Sequence, residues 1–147
     1  MKHLVLILAV IIVFLLGVFF FYNPAHSPTV SPGKSATMSS DGKLAITSLH
    51  DGDTVTSPIT ITGTVTGGGW FNGATFPVTI ADGDGRIIGQ GVAQARADWM
   101  STSSVPFTAI INFTAPRYAS GTVVLSKDNP SGASASAASL SILVLFK

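Results

Sequence analysis

Two hydrophobic periods divide this chain. From Leu4 to Tyr22 the residues form one unbroken apolar run, whereas from Leu44 onward apolar and polar positions alternate in short stretches cut by Gly, Asp, Asn and Pro. The first pattern predicts a helix in lipid. Nineteen residues at ~1.5 Å each give roughly 28 Å, close to the ~30 Å hydrocarbon thickness of a bilayer. A cleaved signal peptide is the competing reading, but its apolar core is shorter and closes on small residues, whereas this run closes on Phe19-Phe20-Phe21-Tyr22. Lys2 precedes the run and the next lysine is Lys34, so the expected orientation is N-terminus inside and the remainder outside.

The second pattern predicts strands. Alternation marks Leu44 to Leu49, Ile59 to Val65, Phe76 to Ala81, Arg86 to Ala95, Phe107 to Phe113, Thr122 to Ser126 and Leu140 to Phe146, with Thr54 to Thr56 as a short extra piece. In VTSPITITGTV, Val55 to Val65, one face carries Ile59, Ile61 and Val65 and the other Thr60, Thr62 and Thr64. Pro58 lacks a donor and belongs at the strand's start, while Gly63 marks a bulge or a close approach between sheets. Asp-Gly steps at His50–Asp53 and Ala81–Gly85 supply tight turns. About seven short strands with such punctuation predict an all-β, immunoglobulin-like antiparallel β-sandwich, a small barrel being the alternative. The predicted organisation is thus a cytoplasmic stub and transmembrane anchor at 1–22, a Pro/Ser/Thr-rich spacer at 23–43 and a sandwich at 44–147. Pro24, Pro28 and Pro32 favour extended backbone in the spacer, which could reach roughly 60 Å at ~3.1 Å per residue.

Composition narrows the function. The chain has no cysteine, so neither a lipidated-cysteine anchor nor a disulfide can hold it. It has no glutamate, and beyond Lys43 five Lys or Arg face six Asp, a balance that gives no nucleic acid a basic surface. Ser31–Ser35, SPGKS, places Pro28 where a phosphate loop needs its first glycine. His50 beside Asp51 and Asp53 lacks a serine on a rigid elbow, and reads as a turn residue. Asp82 and Asp84 are the weak metal candidates: two carboxylates two apart suit calcium, but the position where an EF-hand needs its bidentate acid is Ala93. The contact candidates are aromatic and apolar loop residues, Trp70-Phe71 and Trp99-Met100, which offer rigid area to a protein or a sugar ring.

Several elements in order carry a family resemblance: Ile46 with Ser48, then VTSPITITGTV, FPVTIADGDGRIIG (Phe76–Gly89), ADWM (Ala97–Met100), VPFTAIINF (Val105–Phe113), GTVVLSKDNPSG (Gly121–Gly132) and SILVLF (Ser141–Phe146). Together they make the exported head similar to the immunoglobulin-like domain of bacterial spore germination proteins. That resemblance implies a sandwich outside the membrane that mediates binding or assembly, with no catalytic residues to transfer. The expectation is a non-enzymatic, single-pass membrane protein of the cell envelope without a cofactor, contacting another envelope protein or a glycan. A purely structural envelope protein and a calcium-binding adhesion domain are the alternatives.

Overall fold

A computed structural model describes residues 36–128 and 137–147. The apolar run Leu4–Tyr22 and most of the spacer lie outside the described residues, among which no helix is long and apolar enough to cross a membrane. The head is all β. Its strands are β1 (Thr37–Met38), β2 (Leu44–Ile46), β3 (Asp53–Val55), β4 (Ile59–Thr66), β5 (Thr75–Asp82), β6 (Ile87–Ala95), β7 (Ser104–Ile111), β8 (Ser120–Ser126) and β9 (Ser139–Phe146).

The count of nine corrects the expected seven. β3 is the short piece foreseen near Thr54, made a separate strand because it pairs in parallel with β9, Thr54 lying opposite Leu145. β1 falls inside the stretch assigned to the spacer. Thr37 and Met38 pair with Ile46 and Ala45, and the turn between is closed by Gly42 N–H donating to the Ser39 carbonyl at 2.9 Å. A two-residue strand is too short to show alternation, so its sequence carried no signal. The strand β7 also begins earlier than its apolar pattern: Pro106 has no N–H, yet its carbonyl accepts from Arg96 N at 2.8 Å.

The strands run in the order β1-β2-β4-β7-β6-β5-β8-β9-β3, with edges at β1 and β3, so the sheet is open and not a barrel. Two layers arise because β6 serves both. Its residues from Ile87 to Gln94 pair with β5, while Ala93 to Ala95 also pair with β7. The strands β4, β5, β7, β8 and β9 bury alternate residues, whereas β6, whose ladder with β5 shifts register at Ile80/Ala81, buries the adjacent Ile88 and Gly89; the buried sets of β2, β4 and β7 meet those of β5, β8 and β9 in one core. Phe76 of β5 meets Phe107 of β7 edge-to-face, ring centroids 5.0 Å apart, a geometry that suits aromatic quadrupoles.

Within that frame VTSPITITGTV behaves as its pattern predicts. Ile59, Ile61 and Val65 are buried and the threonines between them face out. Pro58 stands where the chain leaves β3, the partner of β9, and enters β4, the partner of β7 and β2. A side chain on Gly63 would meet the Ala45 carbonyl and the Phe107 ring, with the ring at only 2.9 Å. The close approach is therefore to a backbone neighbour in the same layer and to the aromatic core together.

Candidate functional site

Three chain segments meet at one end of the sandwich: the turn after β1, the β4–β5 loop and the β6–β7 loop. Gly67 N donates to Ser103 O at 3.2 Å, which ties the two loops together. Gly68 adopts a φ of +63°. An L-residue there would be strained, and its Cβ would stand 2.3 Å from the Trp99 carbonyl, so glycine is what lets the loops touch. Asp98 shapes the second loop, its Oδ1 accepting from Met100 N at 3.1 Å.

The four contact candidates separate here. Trp70 and Phe71, expected on an exposed loop, are buried: Trp70 is 0% exposed, edge-on to Phe76 at 5.8 Å, and Phe71 packs on the same ring at 5.3 Å. Glycine-rich flanks suggest a solvent loop, but the loop folds back over the open end of the core and its aromatics close it. Trp99 is half-buried against that core, and Met100 projects into solvent at 72% exposure. The tip is thus Met100 with one edge of Trp99.

Burial of Trp70 creates a need that the sequence concealed. Its indole N–H must be satisfied, and Nε1 donates to Asp41 Oδ2 at 3.0 Å. The other oxygen of Asp41 accepts from Ser39 Oγ and, at 3.1 Å, from Lys43 N. Ser39, itself buried, accepts from Leu44 N at 3.0 Å. Desolvation pushes the Asp41 carboxyl up, but the hydrogen bonds from Ser39, Lys43 and Trp70 and the Lys43 charge outweigh it and hold it below its ordinary value. Sequence reasoning missed this clip because Asp41 and Trp70 are 29 positions apart.

Asp82, at the far end, is a structural hub. It is 3% exposed, and its Oδ1 accepts from Gly83 N at 2.9 Å and Tyr118 N at 3.2 Å, its Oδ2 from Arg117 N at 2.7 Å and Arg86 Nη2 at 3.2 Å. Desolvation raises its carboxyl, yet the bonds from Arg117, Gly83, Tyr118 and Arg86 prevail and lower it. Those four donors compete directly with any cation for the same oxygens. Asp84 is an exposed turn residue whose Oδ1 accepts from Arg86 N at 3.1 Å. Among the described residues no three His, Cys, Asp or Glu side chains gather to hold a metal ion.

His50 keeps its role as a turn residue. Its backbone N donates to Asp53 Oδ2 at 2.9 Å and its Nδ1 lies 3.3 Å from the same oxygen. Asp51 reaches across to β9, accepting from Leu143 N at 2.8 Å.

The sequence comparisons agree with this architecture. No curated protein matches the chain. A family model for the immunoglobulin-like domain of bacterial spore germination matches residues 44–134. The match opens where β2 begins and ends before β9, although β9 supplies Leu140, Ile142 and Val144 to the same core. Spanning more than half of the chain and the seven strands β2 to β8, it establishes that the chain belongs to the family of the immunoglobulin-like domain of bacterial spore germination.

Proposed function

We propose that this chain is a membrane-anchored, extracytoplasmic, non-catalytic module that binds a partner in the cell envelope. The observation that carries the reading is the tip: Met100 stands in solvent beside half-buried Trp99 on a loop clamped through Gly68. A polarizable, unbranched side chain on a rigid platform costs little entropy to order and adapts to an apolar or aromatic contact. The apolar run Leu4–Tyr22 supports the anchor, and the prolines after it support a spacer that holds the head away from the bilayer. The carboxylates argue for binding over chemistry, because Asp41, Asp82 and Asp84 are engaged in holding turns and loops.

The test is retention of the purified head by envelope fractions. The head should start at Lys34, within the compact unit 34–147, since a start at Leu44 deletes β1 and leaves Trp70 without Asp41. Met100→Asp is expected to reduce retention several-fold with an unchanged melting temperature. Full retention by Met100→Asp and by Trp99→Ala alike removes the tip from the reading. Separating wall glycan from membrane protein in the same fractions identifies which partner is held.

A further inference from the structure

We infer that Asn72 is a self-modification site, where the exposed Asn72-Gly73 step converts with time into aspartate and isoaspartate. The inference is independent of the binding reading above. The chain holds four asparagines, and the residue that follows each one separates them. Asn23 and Asn129 precede proline, whose nitrogen has no hydrogen to give up. Asn112 precedes Phe113, a bulky residue whose N–H is already held by Ser57 Oγ at 2.9 Å. Asn72 precedes Gly73, which has no side chain to hinder attack by its own nitrogen. Both residues are exposed, and among the described residues no hydrogen bond holds the Gly73 N–H or the Asn72 carboxamide.

The turn itself is strained. Gly73 and Ala74 fill its two central positions with φ of +59° and +68°, the mirror-image geometry that joins right-twisted strands. Among the described residues Ala74 is the one non-glycine at positive φ, where a Cβ is unfavourable. An Asn-Gly pair is favoured at the two centres; here it sits one position early, which leaves an alanine where glycine is wanted. Closure is correspondingly light. Asn72 N donates to Thr75 O at 2.9 Å, but Thr75 N reaches Asn72 O only at 3.3 Å, and Thr75 Oγ1 shares that carbonyl at 3.2 Å. A short turn at the end of a sandwich opens at far lower cost than the core.

Opening lets the Asn72–Gly73 peptide plane rotate, and the Gly73 nitrogen, its proton passed to hydroxide, bonds to Asn72 Cγ. The Cγ–Nδ2 bond breaks and ammonia leaves, closing a five-membered imide. Water then adds at either imide carbonyl and gives aspartate or isoaspartate, so the balance is one water consumed and one ammonia released. Two effects follow. A carboxylate appears near the end of β6, where Ala95 N bonds Ala74 O at 2.9 Å and exposed Arg96 comes next, and it takes the formal charge of the chain from +1 to zero. Isoaspartate also lengthens the backbone by a methylene in the loop by which Phe71 packs on Phe76.

Trypsin makes the test specific. The fragment 44–86 contains Asn72 as its only asparagine and no glutamine, and the fragment 97–117 contains Asn112 in the same way. The folded full chain is held in mildly alkaline buffer, digested at intervals and weighed by mass spectrometry. The expected result is that 44–86 gains the mass difference between a hydroxyl and an amino group, in two chromatographic peaks, several-fold faster than 97–117. Ala74→Gly relieves the turn and should slow the gain several-fold in the folded chain, while leaving the rate in the excised 44–86 peptide unchanged. Equal rates in the two fragments, no gain in 44–86, an Ala74→Gly rate at or above the parent's, or an equal slowing in the excised peptide overturns the inference. Envelope retention plays no part in this readout, so either proposal can fail alone.

Discussion

Asp41→Ala removes the acceptor of an indole N–H that has no access to water, since Trp70 is 0% exposed. Leaving a buried donor unmet costs about 1–3 kcal/mol, far more than the net worth of an ordinary hydrogen bond. The bonds from Ser39 and Lys43 are lost as well, but Lys43 is exposed, where water replaces much of the loss, and the buried Ser39 hydroxyl keeps its bonds to the Leu44 backbone. A total of about 2–3 kcal/mol follows, which for a domain of this size lowers the melting temperature by about 8–12 °C. Trp70→Phe shrinks a fully buried ring and costs about 1–3 kcal/mol as a cavity, but it also takes away the donor. In that background Asp41→Ala should cost well under half as much, because the exposed carboxylate it deletes no longer satisfies anything buried. The two substitutions are thus coupled by about 1–2 kcal/mol. Urea denaturation of the four chains, followed by circular dichroism, measures this directly. If Asp41→Ala costs the same in both backgrounds to within ~0.3 kcal/mol, the reasoning that the clip exists to satisfy the indole fails.

Acid should loosen the head through Asp82 and Asp41, whose carboxyls are held below the ordinary value of 3.8. The unfolded chain takes up these protons first, so the stabilisation is complete above 3.8 and is lost as pH falls below it through the folded-state values. Melting temperature against pH should drop there, and Asp82→Asn should flatten the drop. Gly63→Ala drives a methyl group into the Ala45 carbonyl and the Phe107 ring, and the overpacking should cost about 1–3 kcal/mol in a denaturation midpoint. Gly52→Ala, whose Cβ would meet nothing, tests the separate strain of positive φ and should cost less. Millimolar calcium should leave the melting temperature unchanged, since four donors already occupy the Asp82 oxygens; a rise in melting temperature would restore the metal reading.

Local information was legible and distant information was not. The alternation of Ile59, Ile61 and Val65 reports a half-buried strand because a residue's face is set by its immediate neighbours. The Asp-Gly turns were legible for the same reason. Trp70 was misplaced because its burial depends on a loop folding back over Phe76, and its partner Asp41 sits in a polar stretch that resembles a spacer. Asp82 is the last residue of β5, beside the turn that its Asp-Gly step marks, but its bonds to Arg117 and Tyr118 join segments 35 and 36 positions apart. Of the four contact candidates, Met100 alone has the full exposure expected of it, since a residue at a loop tip needs no tertiary partner to be placed.

The position of β9 sets an order on the making of this protein. The strand at 139–146 is inserted between β8 and β3, so neither neighbour has its shared partner until the chain has been synthesised to Phe146. Earlier strands can meet, but the core stays open on the side that Ile142 and Val144 will fill. Non-local pairings of this kind also form slowly. Cotranslational closure of the head therefore waits until Phe146 has been made. For a head that is exported as proposed, a translocation channel receives a chain that has not yet locked, and folding starts on the far side of the bilayer.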